Sequence, residues 1–291
     1  MKKLLITGAS GFLGWNLCEL AKKEWDVYGA YFSHSLEIPG TKLVKLDLTD
    51  FTEVRRVFRE IQPAAVIHTA AQSQPNYCQT HPEESLLINV TASLHIAELC
   101  ADNSIPYVFT STDLVFDGVK GFYEETDSVN PVNIYGEHKV MAEIEILKRY
   151  PEAAICRMPL MFGNATPTAT SFLQSFIKTL LEGKELKLFT DEFRTPVKVK
   201  TAAEGLLLAL EKVQGIIHLG GKEKISRYDF GRLLVEVFEI TNPKIQASLQ
   251  KDVKMAAPRP SDVSLNSYKA FELGYSPLSL REQLFSLTTN H

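Results

Sequence analysis

Lys3-Leu4-Leu5-Ile6-Thr7-Gly8-Ala9-Ser10-Gly11-Phe12-Leu13-Gly14, followed by a helix-patterned run from Trp15 to Ala21, decides the fold. It reads as strand, glycine turn, helix. A short apolar run beside such a turn is a buried parallel strand, and glycines let the backbone bend sharply and approach a ligand that a Cβ would push away. The helix that follows points unpaired N–H groups and the positive end of its dipole at the turn. That combination suits an anion such as the pyrophosphate of a dinucleotide.

The first two glycines are three apart, so the pattern is Thr7-Gly8-x-x-Gly11-x-x-Gly14 and not G-x-G-x-x-G. This pattern resembles the TGxxGxxG turn of the short-chain dehydrogenase/reductase superfamily, and Gly11-Phe12-Leu13-Gly14 resembles its extended branch. The resemblance implies that Gly8, Ser10, Gly11, Phe12, Leu13 and Gly14 hold a dinucleotide.

Working outward, Asp26–Tyr31 reads as the second strand, with Ser33, His34 and Ser35 in the polar turn after it. An acid near the end of this strand binds the adenosine ribose and repels a 2′-phosphate. Tyr31 stands in its place, with Ser33, His34 and Ser35 available as donors, so NADP(H) is preferred over NAD(H). No arginine clamps the phosphate there, and NAD stays open. A third strand ends in Asp47-Leu48. The resemblance places this pair beside the adenine, while Asp47 equally suits a strand terminator. The fourth strand, Ala64–His68, leads to Ala70 and Ala71, small enough for a flat cofactor to lie against the backbone. His68, set in an apolar strand, reads as a hydrogen-bonded core residue. Asp50 and Glu53 open a helix, and another is expected over about 83–101 with Asn89 near its middle, where the resemblance implies a brace for the active-site helix.

With 291 residues, 45% hydrophobic and 23% charged, the chain can bury one large core and a smaller lobe. A formal net charge of −4 offers no electrostatic reason to expect nucleic acid or an anionic membrane as partner. Cys18, Cys78, Cys100 and Cys156 are far apart and form no metal or redox motif, and no apolar run reaches the length of a membrane span. A cytoplasmic protein without a metal is expected. A homodimer is within what the chain allows.

The chemistry concentrates in the middle of the chain. A fifth apolar strand from Ile105 delivers Ser111-Thr112-Asp113, and Tyr135-Gly136-Glu137-His138-Lys139 follows. Tyr135 and Lys139, four apart, project from one face of a helix. A phenol titrates near 10, and a neighbouring lysine cation is expected to move it toward the working range. Thr112 is placed to support the charge that develops on a substrate oxygen during hydride transfer.

Ser111-Thr112-Asp113-Leu114-Val115-Phe116-Asp117-Gly118 and Asn130-Pro131-Val132-Asn133-Ile134-Tyr135-Gly136 resemble the dTDP-4-dehydrorhamnose reductase family, which includes the regulatory β subunit of methionine adenosyltransferase. Similar nucleotide-sugar dehydratases carry a glutamate after Thr-Asp, and Leu114 stands there, which argues for simple ketone reduction. The tail Arg259-Pro260 through Ser264-Leu265-Asn266 resembles the family's ending, with Asn266 replacing an aspartate. The resemblance implies a 4-keto nucleotide-sugar reductase with Thr112, Tyr135 and Lys139 catalytic. A non-catalytic NADP-binding regulatory subunit and a nucleotide-sugar epimerase are the alternatives. Asp113, Arg194 and Arg259 are candidates for the substrate, since guanidinium groups match phosphate oxygens.

The expected architecture is a doubly wound parallel sheet of the Rossmann type with a smaller C-terminal substrate-binding lobe. Residues 1–162 form the dinucleotide-binding domain, with 197–220 returning to it, and 163–291 form mainly the lobe. Thr201 and Glu204 are expected to cap the returning helix, and Gly215–Leu219 to be a seventh strand.

Overall fold

A computed structural model describes residues 1–33 and 37–288. Seven parallel strands form the main sheet: β1 (Lys3–Thr7), β2 (Asp26–Tyr31), β3 (Thr41–Lys45), β4 (Ala65–His68), β5 (Tyr107–Thr112), β6 (Ala154–Met158) and β7 (Gly215–His218). Their spatial order is β7-β6-β5-β4-β1-β2-β3. The winding reverses between β1 and β4, where Thr7 lies level with Ala30 on one side and His68 on the other. Open α/β sheets bind ligands at such a crevice.

Side-chain alternation splits the core into two layers. Leu4 and Ile6 of β1 face one layer and Leu5 the other. The first layer is covered by α1 (Phe12–Ala21), and the second by α2 (Phe51–Ile61), α3 (Ser93–Asp102) and α4 (Ile134–Arg149). In α2, Val54, Val57, Phe58 and Ile61 repeat at helical spacing and are buried. Its N-cap Asp50 accepts from Thr52 N at 3.0 Å and Glu53 N at 3.1 Å, worth about 1 kcal/mol. His68 hydrogen-bonds Thr7 Oγ1 at 2.7 Å and Ser93 Oγ at 2.9 Å, joining β1, β4 and α3.

The C-terminal third is interwoven with this body. After α5 (Phe172–Leu181) the chain returns through α6 (Val199–Lys212), which packs on α1, and β7; it then leaves again into α7 (Arg227–Val237) and α8 (Leu280–Thr288). The lobe has its own core around Phe176, Leu188, Phe230, Leu234 and Leu284. Leu186–Phe189 pairs in parallel with Ile245–Ser248.

Two local expectations are corrected. Thr201 lies inside α6, which starts at Val199; its N-cap is Lys198, whose N–H donates to the buried Gln283 of α8 at 2.6 Å. A remote side chain thus takes the N-cap N–H that a local capping box would have taken. The run 82–102 is also not one regular helix. Leu87–Ala92 forms a π turn between α-helical segments.

Candidate active site

The glycine turn sits at the switch point. Gly11 N donates to Gly8 O at 2.9 Å, and a Cβ on Gly14 would lie 2.1 Å from Gly8 O and 2.9 Å from Thr69 Oγ1. Only a bare Cα lets α1 start against β1 and β4. Gly11, the N-cap of α1, has no side chain to offer, and no side-chain cap is made among the described residues, so the first N–H groups of α1 remain for a ligand. The turn opens into a cavity of about 1050 Å³ that runs across the strand ends into the C-terminal lobe.

Gly8, Ser10, Gly11, Phe12, Leu13, Gly14, Tyr31, Asp47, Leu48, Ala70 and Ala71 line the part of the cavity around β1–β4. Asp47 also accepts from Thr49 N at 2.9 Å and Thr49 Oγ1 at 2.7 Å, so it closes a local turn as well as facing the cavity. Ser33 is exposed beyond Phe32, and His34 and Ser35 lie outside the described residues.

Thr112, the last residue of β5, lines the cavity, and its hydroxyl accepts from Leu114 N at 3.2 Å, which starts the turn Asp113–Val115. Helix α4 is capped by Asn133, whose Oδ1 accepts from Gly136 N at 2.9 Å. A Cβ on Gly136 would stand 2.3 Å from Leu114 O, so glycine lets α4 lie directly on that turn. Tyr135 and Lys139 are thereby brought to Thr112, and all three line the cavity.

The electrostatics differ from the expectation that Lys139 lowers the Tyr135 phenol. Burial, reinforced by Asp113 and Cys78, pushes Tyr135 well above the ordinary tyrosine value, against a hydrogen bond with Thr112. Lys139 shifts instead: burial lowers it from 10.5 to about 7, with Glu143 opposing. Its ammonium lies 4.1 Å from the centre of the Phe109 ring. Burial raises Asp113 to about 6, against the pull of Arg194 and a hydrogen bond from Thr112.

Asp113, Glu192, Arg194, Arg227 and Arg259 line the cavity where the lobe closes over it. Arg194 Nη2 is 3.5 Å and Arg227 Nε 4.0 Å from Glu192 Oε1. Arg227 packs its guanidinium 4.3 Å over the Phe172 ring, and burial lowers it to about 10. Arg259 donates to Asn76 Oδ1 at 3.0 Å. Arg194 Nη1 and Arg227 Nη1 are buried without a hydrogen-bond partner among the described residues, which marks a place for acceptors on a ligand.

Asn89 holds the Gln72 backbone directly and reaches helix α4 through Ser85. Its Oδ1 accepts from Gln72 N at 2.9 Å and its Nδ2 donates to Gln72 O at 3.0 Å and Ser85 Oγ at 3.1 Å. It clamps the cavity wall 69–74, and Ser85 Oγ in turn hydrogen-bonds His138 of α4 at 2.8 Å. Gln72, which opens the long polar loop 72–82 that reads as a substrate-facing segment, lines the cavity, as do Phe32, Glu192 and Arg227, which were not legible as site residues. Only Phe32, an apolar residue in a polar turn, left a trace in the sequence.

The family model described as RmlD substrate binding domain matches residues 1–290. A probable low-salt glycan biosynthesis reductase, Agl14, of Haloferax volcanii is 32% identical over 290 residues, 97% of this chain and 96% of that protein. Methionine adenosyltransferase 2 subunit beta of Danio rerio is 28% identical over 94% of this chain and 86% of its own. The crystal structure of a hypothetical dTDP-4-dehydrorhamnose reductase from Sulfolobus tokodaii superposes with a TM-score of 0.81 at 34% identity, covering 94% of each chain.

Proposed function

The chain belongs to the RmlD substrate binding domain family, within the extended short-chain dehydrogenase/reductase type of NAD(P)-dependent oxidoreductase, and we propose that it reduces a 4-keto nucleotide sugar. The observation that carries this reading is the meeting of Thr112, Tyr135 and Lys139 in one cavity, between an uncapped glycine turn and a cluster of arginines.

The cradle at Gly14, which a Cβ would fill, and the free N–H groups of α1 fit a dinucleotide pyrophosphate. Gly8 and Ser10 to Gly14 hold it there, Tyr31, Asp47 and Leu48 flank the adenosine, and Ala70 and Ala71 leave the backbone flat beneath it. Tyr31 in place of an acid supports NADP(H) over NAD(H). When bound, a reduced nicotinamide supplies the hydride.

Tyr135 holds the proton that the ketone oxygen receives. Its raised pKa keeps the phenol protonated at neutral pH, as a proton donor requires. Thr112 hydrogen-bonds the same oxygen as charge develops on it, and the Lys139 cation stabilises the phenolate left on Tyr135 and holds the nicotinamide ribose. Leu114 offers no base for a dehydration. Arg194 and Arg259, with Arg227, take the substrate diphosphate. Residues 1–162 and 197–220 thus serve the dinucleotide, and the rest of 163–291 mainly the nucleotide sugar.

The test is nicotinamide absorbance during incubation with dTDP-4-dehydrorhamnose and related 4-keto nucleotide sugars, with NADPH and NADH in parallel. Loss of reduced cofactor that disappears in Tyr135→Phe, with cofactor binding retained, supports the reading; turnover unchanged in Tyr135→Phe overturns the mechanism. The likeness to the methionine adenosyltransferase subunit favours a second reading, a dinucleotide-binding regulatory subunit. Cofactor binding and a co-purifying enzyme without turnover on any keto sugar would select it.

A further inference from the structure

Phe109 of β5 is fully buried in the core layer under α4, and the Lys139 ammonium sits 4.1 Å from the centre of its ring. Among the described residues no hydrogen bond from Lys139 Nζ accompanies that contact. The ring is held in place by a neighbour. His68 stands level with Phe109 on β4, its ring stacked at 15° with centroids 5.8 Å apart, and is itself pinned to Thr7 and Ser93. The nearest acid is engaged elsewhere: Glu143, one turn on along α4, is gripped twice by Arg157 of β6 and takes the Ser111 hydroxyl. Asp113, after β5, faces Arg194 at 3.6 Å. The other titratable groups around the lysine are uncharged at neutral pH. Burial raises the Cys78 thiol of the segment Pro75–Thr80 and the Tyr135 phenol, and burial with the Lys139 charge holds His68 down at about 3.

A cation largely removed from water needs a carboxylate, a hydrogen-bond acceptor or the negative face of an aromatic ring to hold it. Here the carboxylate is compensated by Arg157, and no acceptor meets Nζ among the described residues. The ring is left. It also differs from an acceptor in what it leaves free: a carbonyl or carboxylate would take one of the three N–H donors and fix the direction of the rest, whereas a ring face attracts the ammonium as a whole. Resting on the proposed reaction, in which Lys139 serves the nicotinamide ribose and the Tyr135 phenolate, we infer that Phe109 is a positioning residue for Lys139. The face of its ring holds the ammonium at the cavity wall and leaves the N–H donors for the cofactor. The aromatic ring at 109 is then part of the site through its charge distribution, beyond the volume it fills in the core.

The experiment replaces Phe109 with 4-fluoro-, 3,5-difluoro- and 3,4,5-trifluorophenylalanine, which nearly keep the shape of the ring while draining negative charge from its face. The full chain, labelled with 13Cε-lysine, is titrated by NMR without cofactor, and the Lys139 signal is assigned by its loss in Lys139→Arg. The titration midpoint is expected to fall with each added fluorine, by about one pH unit across the series, as a desolvated cation–π contact is lost. Phe109→Leu, which has no ring face, should show a midpoint at least as low. A role in packing alone would lower the unfolding temperature of Phe109→Leu but leave the midpoint constant through the fluorinated series. A constant midpoint in folded fluorinated protein therefore overturns the inference, even where Phe109→Leu fails to fold. In ketone reduction the upper pH limb of kcat/KM should move with the midpoint. If no keto sugar is reduced, the proposed reaction fails, and the NMR titration decides the role of Phe109 by itself: a graded fall upholds it and a constant midpoint overturns it.

Discussion

Glu143 and Arg157 form a buried, two-pronged ion pair behind Lys139. Arg157 donates from Nη2 to Oε2 at 2.8 Å and from Nε to Oε1 at 3.1 Å, with both side chains under 5% exposed. Glu143 lies one helical turn beyond Lys139 and also accepts from the Ser111 hydroxyl. Arg157 stacks 5.0 Å over Phe116, and its Nη1 lies 3.4 Å from His218 Nε2. Burial and Arg157 hold His218 down at about 3, so its ring is neutral; Nδ1 donates to Tyr123 O at 3.0 Å, which leaves Nε2 to accept from Arg157.

Removing one member of this pair strands the other. Glu143→Gln is expected to cost about 3–5 kcal/mol in denaturant unfolding, and Arg157→Met a similar amount. The double replacement Glu143→Leu with Arg157→Met should cost less than the two single changes summed, since neither member of the pair is left as an unpaired buried charge. Additive costs would show that the pair does not act as a unit.

Lys139 gives opposite pH trends for activity and stability. Its pKa is lowered to about 7, and under the proposed mechanism the ammonium is the form that stabilises the Tyr135 phenolate. In ketone reduction kcat/KM should therefore fall as pH rises through about 7, and Lys139→Met should lack this limb at a lower plateau. For stability the sign reverses. Between about 7 and 10.5 the unfolded chain holds a proton that the folded chain lacks, so the Lys139 contribution rises with pH across that window. Unfolding curves of wild type minus Lys139→Met, taken from pH 6 to 10, check the sign.

Asn89 is expected to govern the cavity wall without touching the reacting atoms. Asn89→Ala removes partners from both backbone groups of Gln72, a loss of about 1–3 kcal/mol if the wall stays closed, so the wall should open to water instead. Faster amide hydrogen exchange at 69–74, with a raised KM and a smaller change in kcat, is the expected result. Unchanged exchange there would show that the π turn does not hold the wall.

Most of the sheet was legible because its strands are short apolar runs bounded by breakers, and the pairing of Tyr135 with Lys139 follows from helical periodicity alone. What was hidden depends on distant partners. The start of α6 is set by Gln283, 85 residues away, and the π turn at 87–92 lets Asn89 meet Gln72 across a loop. Nothing local marks Arg227, in the first turn of α7, because the rings of Phe172 and Phe176 that hold it over the cavity come from another helix. The fall of the Lys139 pKa, in place of the Tyr135 pKa, follows from a burial that spacing does not reveal.

Gly14 tests whether the close approach of α1 to β1 and β4 serves ligand binding or only packing. An added Cβ would meet backbone, the carbonyl of Gly8 at 2.1 Å and its carbon at 2.7 Å, so no rotamer relieves the clash and α1 must lift from the turn. Gly14→Ala should cost about 1–3 kcal/mol of stability, the usual range for an overpacked site. Lifting the helix also moves its N–H groups away from the anion, so dinucleotide affinity should drop at least ~10-fold, the effect of about 1.4 kcal/mol. Titration of nicotinamide fluorescence at a temperature where the variant is fully folded separates the two losses. A folded Gly14→Ala that binds NADPH as tightly as wild type would show that the turn is a packing device and that the pyrophosphate is held elsewhere.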